Sequence, residues 1–369
     1  MNSIQFIVPQ SFEIKSAQRT YPVEFSDSVQ GIIEKLKKIK NPVFLIDKNI
    51  RKIYSKQLES LLSLSPTLEI EATEDAKTFE GAGVVINWMS EQKITKCNHV
   101  VAIGGGIIQD IATFTTCIFF RGLPWTLVPT TLLSMSDSCI GAKCGISLGN
   151  LKNQLGVFNS PYAVLISPEF LGTLAPVDVK SGYGEVLKLY LTAGYDKFLE
   201  LEKELDAAPT LLSPQTGKHI AESLKIKKRV IEEDEYEVYL RMILNYGHTF
   251  GHALEAETQH FVPHGLGVVW GIDFENYLSM KNGWLKEEKF VRIQKFIKKH
   301  LSFPNTKAVT AEGLLAASRR DKKMTSGTEI NLIYFTDKDE LEIKKTKLDD
   351  QFKLTLESYL KDQDVFHSS

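Results

Sequence analysis

The sequence predicts an α/β N-terminal domain built on a parallel sheet, followed by a mostly α-helical C-terminal domain. Two observations predict this. Up to about residue 130, short apolar β-prone runs alternate with helical stretches, the rhythm of βα units. After about residue 175 nearly every segment has helical spacing and length. The domains are therefore expected at 1–175 and 176–369, with the boundary near Pro176.

Residues 42–46 form an apolar, β-prone run ending at Asp47, and 50–64 follow as an amphipathic helix. A short strand at 68–70 and a helix at 79–93 come next. Residues 99–103 read as a buried strand that runs directly into Gly104-Gly105-Gly106 and a further helix, and 125–129 as another strand. Helices are expected at 177–193, 196–205, 217–234, 241–258, 266–280, 286–300 and 311–322. One late strand, 329–335, interrupts them, and the polar tail 361–369 is expected to fray.

Composition narrows the functional classes. At 369 residues and 43% apolar content, the chain is long enough for two domains or one large one. A net charge of -2 gives no support to a nucleic-acid or membrane-surface partner. The four cysteines, Cys97, Cys117, Cys139 and Cys144, follow no CxxC spacing and read as reduced thiols of a cytoplasmic protein. No secretory leader pattern and no membrane-length apolar run is expected.

Several motifs carry chemistry. A strand opening through glycines into a helix lets backbone approach a pyrophosphate at the helix N-terminus, although a tight βα turn explains the same residues. Asp47 and Asn49 end a strand, where they could hold a ribose or form an Asx turn. Thr130 and Thr131 follow another strand end. Arg121, Lys143, Lys152 and Asn153 lie among apolar, glycine-rich flanks, and such cations suit an anionic substrate. Glu185 and Lys188 are spaced i, i+3, which by itself describes an ordinary helical ion pair. His248 and His252 share a helix face at i, i+4, and His264 follows in a Pro-His-Gly turn. Together they suggest a divalent metal site, and the missing HExxH glutamate excludes a metalloprotease.

In this order, GGGIIQD, FRG, VPTTLL with Asp137 and Lys143, LKN, GYGEVLK, RMILNYGHTFGH and PHG resemble the motifs of the dehydroquinate synthase family of sugar phosphate cyclases. The resemblance spans about residues 47–327. It implies an NAD-binding first domain, a metal- and substrate-binding second domain, an active site in the cleft between them, and a homodimer. It implies zinc (or another divalent cation such as cobalt) held by Glu185, His248 and His264, with His252 near the leaving phosphate. Arg121, Lys143, Asn153, Lys188, Lys227, Arg241 and Asn245 match substrate-contacting positions. Asp47, Asn49, Glu74, Lys77, Gly105, Gly106, Asp110, Thr130, Thr131, Asp137, Lys152, Phe170, Thr173, Leu174 and Asp178 match positions around NAD. One of Lys322 and Lys323 is expected at the substrate phosphate.

The implied reaction is redox-neutral. An alcohol is oxidised transiently, phosphate is eliminated, the hydride returns, and the opened sugar recloses by an aldol step. Arg241 and Asn245 match the positions that serve a substrate carboxylate, which points to a seven-carbon keto acid phosphate. Three features depart from the family pattern. Leu266 stands where an acidic residue is common after the last ligand, the segment 146–151 differs, and the middle of Glu74-Asp75-Ala76-Lys77 is changed. Three other readings stay open: a sister cyclase acting on sedoheptulose 7-phosphate or glucose 6-phosphate, a metal-dependent NAD(P) alcohol dehydrogenase, and a non-catalytic binding protein.

Overall fold

The computed structural model describes residues 4–366 except 64, 150, 260, 303–308, 320–323 and 327. The chain folds into two compact units: Met1–Ala175 with Leu212–Glu237, and Pro176–Leu211 with Val238–Ser369. The assignment of 176–369 to one helical domain therefore needs correction. The helix expected at 217–234 belongs to the first unit. Its amphipathic spacing announced a buried face but could not say which core would bury it.

In the first unit the chain runs β1 (Phe12–Lys15), β2 (Thr20–Phe25), α1 (Val29–Leu36), β3 (Pro42–Asp47), α2 (Lys48–Ile53), α3 (Ser55–Leu62) and β4 (Thr67–Ile70). It continues through α4 (Phe79–Glu91), β5 (His99–Gly104), α5 (Gly106–Ile118), β6 (Trp125–Pro129), β7 (Ile146–Leu148), β8 (Leu151–Leu155) and β9 (Ala163–Ile166). After α6 (Pro176–Thr192) and α7 (Tyr195–Asp206) of the second unit, α8 (Thr216–Glu233) returns to the first. The second unit resumes with α9 (His248–Glu257), α10 (His264–Lys281), α11 (Glu287–His300), α12 (Ala311–Ser318), β10 (Met324–Ser326), β11 (Glu329–Phe335), β12 (Leu341–Lys347) and α13 (Asp350–Phe366).

The seven-stranded sheet has the order β1-β2-β9-β6-β5-β3-β4. All neighbours pair in parallel except β1 with β2. Val43, Phe44, Leu45 and Ile46 of β3 and Val100, Val101, Ala102 and Ile103 of β5 are all buried. That is why these strands read as continuous apolar runs rather than alternating ones. The chain steps outward from β3 to β4 and then crosses to the other side of β3 to form β5. Ligands of open α/β sheets bind at such a switch, outside the carboxyl ends of the strands.

Two expected helices are broken. The stretch 50–64 divides at Tyr54, which leaves helical geometry at ψ 22° and buries its ring against Phe170, 5.0 Å between centroids. The stretch 241–258 divides into a 3₁₀ turn, Leu240–Asn245, and α9, because Gly247 adopts φ 75°. Apolar periodicity runs across both breaks, so it cannot reveal them. β12, with sequence LEIKKTK, was not foreseen because its exposed lysines mask the alternation. The helix α13 extends through Phe366, further than the expected frayed tail allows.

His99 opens β5 with its Nε2 2.8 Å from Thr126 Oγ1 on β6. Burial pushes its imidazole down from 6.5 to about 4. The unfolded chain then binds a proton that the folded one refuses, so this contribution to stability is present above 6.5 and lost as pH falls toward 4. His99→Gln, which keeps a hydrogen bond to Thr126, should make the urea midpoint less sensitive to acidification between pH 7 and 4.5 than in the wild type. Equal sensitivity would remove His99 as a cause.

Candidate active site

In the second unit the site starts from close helix contacts. A Cβ at Gly184 on α6 would lie 2.2 Å from Gly265 O on α10, and one at Gly271 on α10 would lie 1.9 Å from Gly247 O. Only glycine lets these backbones approach so closely. Each crossing has a functional side chain as its chain neighbour: Glu185 beside Gly184, His248 beside Gly247 and His264 beside Gly265. Gly271→Ala should cost at least about 1–3 kcal/mol of stability through overpacking. The urea midpoint measures this, and an unchanged midpoint would contradict the packing argument.

These crossings bring three donors together. Glu185 Oε1 lies 3.2 Å from His264 Nε2 and 3.7 Å from His248 Nε2. Glu185 is 1% exposed, and its Oε2 meets Lys188 Nζ at 2.5 Å. Each histidine has its other ring nitrogen engaged: His248 Nδ1 with Tyr246 O at 3.1 Å, His264 Nδ1 with Glu255 Oε1 at 2.8 Å. Both Nε2 atoms are thereby presented to Glu185. In a tetrahedral site with bonds of 2.0–2.1 Å, neighbouring ligand atoms sit about 3.3 Å apart. The distances from Glu185 Oε1 to the two Nε2 atoms lie near that spacing. The three histidines also offer ligand atoms, all within 4.8 Å of one another, and the His252 ring lies 5.4 Å from that of His248. His252 therefore borders the same point, and geometry admits it as a neighbour or as a further donor.

Burial alone would lower the imidazole pKa of His264. The carboxylates of Glu255 and Glu185 override this and raise it to about 10.

Arg241, 6% exposed, and Asn245 lie on the 3₁₀ turn that precedes Gly247, and this turn packs against α6 and β12. Lys188, 2% exposed, stands one helical turn after Glu185. Asp178 is in the first turn of α6, its carboxyl pKa raised by burial. Lys322 and Lys323 lie outside the described residues.

The sequence reading missed the supports behind these donors. Glu255 follows His248 by seven residues, which on α9 places both on one face. Glu275 Oε2 accepts from Gly247 N at 2.9 Å, and Tyr246 OH donates to Asn276 Oδ1 at 2.5 Å. Acidic and amide residues inside the otherwise apolar α10 were the available signal.

In the first unit nearly all the expected cofactor residues follow the carboxyl ends of parallel strands. Asp47 and Asn49 follow β3; Glu74 and Lys77 follow β4; Gly105, Gly106 and Asp110 follow β5. Thr130, Thr131 and Asp137 follow β6, and Phe170, Thr173 and Leu174 follow β9. Asp47 Oδ1 accepts from Asn49 N at 2.8 Å, the Asx turn that the sequence also allowed. A Cβ on Gly105 would lie 2.9 Å from Thr131 Cγ2. Thr130 Oγ1 is buried with no hydrogen-bond partner among the described residues. A glycine cradle, a helix N-terminus and a spare buried hydroxyl fit the phosphates and ribose of a dinucleotide.

Lys77 Nζ donates to Asp110 Oδ2 at 3.2 Å and to Asn153 Oδ1 at 3.1 Å, so Asn153, expected at the substrate, lies beside two of the expected cofactor residues. Lys152 Nζ lies 3.8 Å from Glu74. Burial raises the Asp110 carboxyl to about 6, against the opposing pull of Lys77. Lys227 on α8 donates to Asp137 O at 2.6 Å and Oδ1 at 2.5 Å, within the π-helical turn Ser134–Ser138. Lys143 pairs with Glu237. Arg121 is exposed in a left-handed run, with φ 51° at Phe120 and 62° at Arg121.

Residues 67–181 match the family model for the 3-dehydroquinate synthase N-terminal region, and 182–324 the model for its C-terminal region. A 3-dehydroquinate synthase of Staphylococcus carnosus is 34% identical over 92% of this chain and 97% of its own length. The chain belongs to the 3-dehydroquinate synthase family. Two solved sugar phosphate cyclases share the fold. 2-Deoxy-scyllo-inosose synthase, solved with carbaglucose-6-phosphate, NAD+ and Co2+, superposes with a TM-score of 0.82 at 21% identity, covering 94% of this chain and 98% of its own. ValA, the 2-epi-5-epi-valiolone synthase of Streptomyces hygroscopicus subsp. jinggangensis with NAD+ and Zn2+ bound, gives 0.82 at 22% identity over 95% and 99%. Among the described residues no helix is long and apolar enough to cross a membrane.

Proposed function

We propose that this protein is a zinc- and NAD-dependent 3-dehydroquinate synthase that converts a seven-carbon keto acid phosphate to 3-dehydroquinate with loss of phosphate. The observation that carries this reading is Arg241, a buried guanidinium on the turn that packs against α6, the helix of Glu185 and Lys188. A planar, bidentate donor suits a carboxylate, which a simple sugar phosphate lacks.

In this reading Glu185, His248 and His264 hold the metal through one oxygen and two nitrogens, leaving positions for substrate oxygens. When bound, the metal would supply Lewis acidity toward the alcohol and NAD would supply the reversible hydride chemistry. The chain's residues position and neutralise. Lys188 balances the buried Glu185, Arg241 and Asn245 take the carboxylate, and His252, on the metal-facing side of α9, serves the leaving phosphate. Gly105, Gly106, Thr130 and Asp110 hold the dinucleotide, and Lys227 fixes the Asp137 turn beside it. Homodimerisation belongs to the same proposal.

Leu266 and the altered segment 146–151, here the hairpin of β7 and β8, leave a sister cyclase as the second reading. Phosphate release from the keto acid phosphate, sedoheptulose 7-phosphate and glucose 6-phosphate, each with zinc and NAD, separates the two. Turnover of the keto acid phosphate supports the proposal, and turnover of another sugar phosphate alone supports the second reading.

A further inference from the structure

The two histidines beside Glu185 are held differently. His248 Nδ1 meets a neutral backbone carbonyl, Tyr246 O, whereas His264 Nδ1 meets a carboxylate, Glu255 Oε1, at 2.8 Å. His264 is the first residue of α10, so no preceding helical turn packs around its ring. Its orientation needs a separate support. The residue two positions on, Leu266, is 1% exposed and offers only methyl groups. Glu255, 7% exposed, comes instead from the neighbouring helix α9. Gly267 makes room for it, because a Cβ there would lie 3.3 Å from Glu255 Cγ and 3.4 Å from its Oε1.

We infer that Glu255 is a positioning residue for His264. Its carboxylate accepts from Nδ1–H and fixes the tautomer that leaves the Nε2 lone pair facing Glu185 Oε1. A carboxylate behind a metal-binding imidazole typically changes affinity about 10–100-fold when removed. This assignment rests on the metal-site reading above. It also implies that Leu266 costs the site no anionic support, because the support is supplied from α9.

The test is zinc affinity by chelator competition, together with the visible spectrum of the cobalt-substituted protein, for wild type, Glu255→Gln, Glu255→Ala and His264→Ala. Glu255→Ala should weaken zinc about 10–100-fold and shift the cobalt bands. Glu255→Gln keeps an acceptor without the charge, so it should fall between Ala and wild type. Unchanged affinity and an unchanged cobalt spectrum in Glu255→Ala would overturn the inference and leave Glu255 a packing residue. If the alanine variant does not fold, wild-type affinity and spectrum in Glu255→Gln overturn it equally. Zinc retained at wild-type affinity by His264→Ala would show that the metal-site reading has failed, an outcome separable from the Glu255 variants.

Discussion

Replacing Glu185 by alanine should strip zinc from the protein and lower kcat by at least about 10³-fold, the several kcal/mol that a Lewis acid supplies. The buried carboxylate sits 3.2 and 3.7 Å from the two Nε2 atoms, close to the edge of a tetrahedron. His252→Ala should instead keep its zinc and lose turnover, because the proposal places it at the leaving phosphate. Metal content by atomic absorption, measured beside kcat, distinguishes the two sets of donors. Zinc retained in Glu185→Ala but lost in His252→Ala would mean that the three histidines form the site.

Arg241→Ala should reduce kcat/KM for the keto acid phosphate about 10²–10³-fold, since leaving a buried charge unpaired costs roughly 2–5 kcal/mol. Arg241→Lys should recover only part of this, because an ammonium cannot reproduce the two parallel hydrogen bonds. Discrimination between the keto acid phosphate and sugar phosphates without a carboxylate should narrow in both variants. An unchanged kcat/KM in Arg241→Ala, with an unchanged unfolding midpoint, would mean that the carboxylate is held elsewhere.

Much of this was legible in the sequence for physical reasons. Central parallel strands are buried on both faces, so β3 and β5 appear as uninterrupted apolar runs. The glycine turn after β5 is visible because a close approach, here of Gly105 to Thr131, admits no side chain. What stayed hidden depends on contacts distant in sequence. Spacing shows that α8 is a helix but not that it returns to the first unit with Lys227. The i, i+4 pair His248 and His252 invites a two-histidine reading, yet the carboxylate beside the Nε2 atoms of His248 and His264 comes from α6, more than sixty residues before His248. The break at Gly247 leaves no trace in hydrophobic periodicity, although it sets where α9 begins and so where His248 points. Leu266 looked like a lost support until the structure placed Glu255 behind His264.

The most direct measurement follows phosphate release and nicotinamide absorbance together, using the keto acid phosphate, zinc and far less NAD than substrate. Complete conversion to 3-dehydroquinate is expected, with one phosphate per product and no accumulated NADH, because the hydride returns within each turnover. Absence of phosphate release, or NADH accumulating in step with substrate consumed as in an alcohol dehydrogenase, would contradict it.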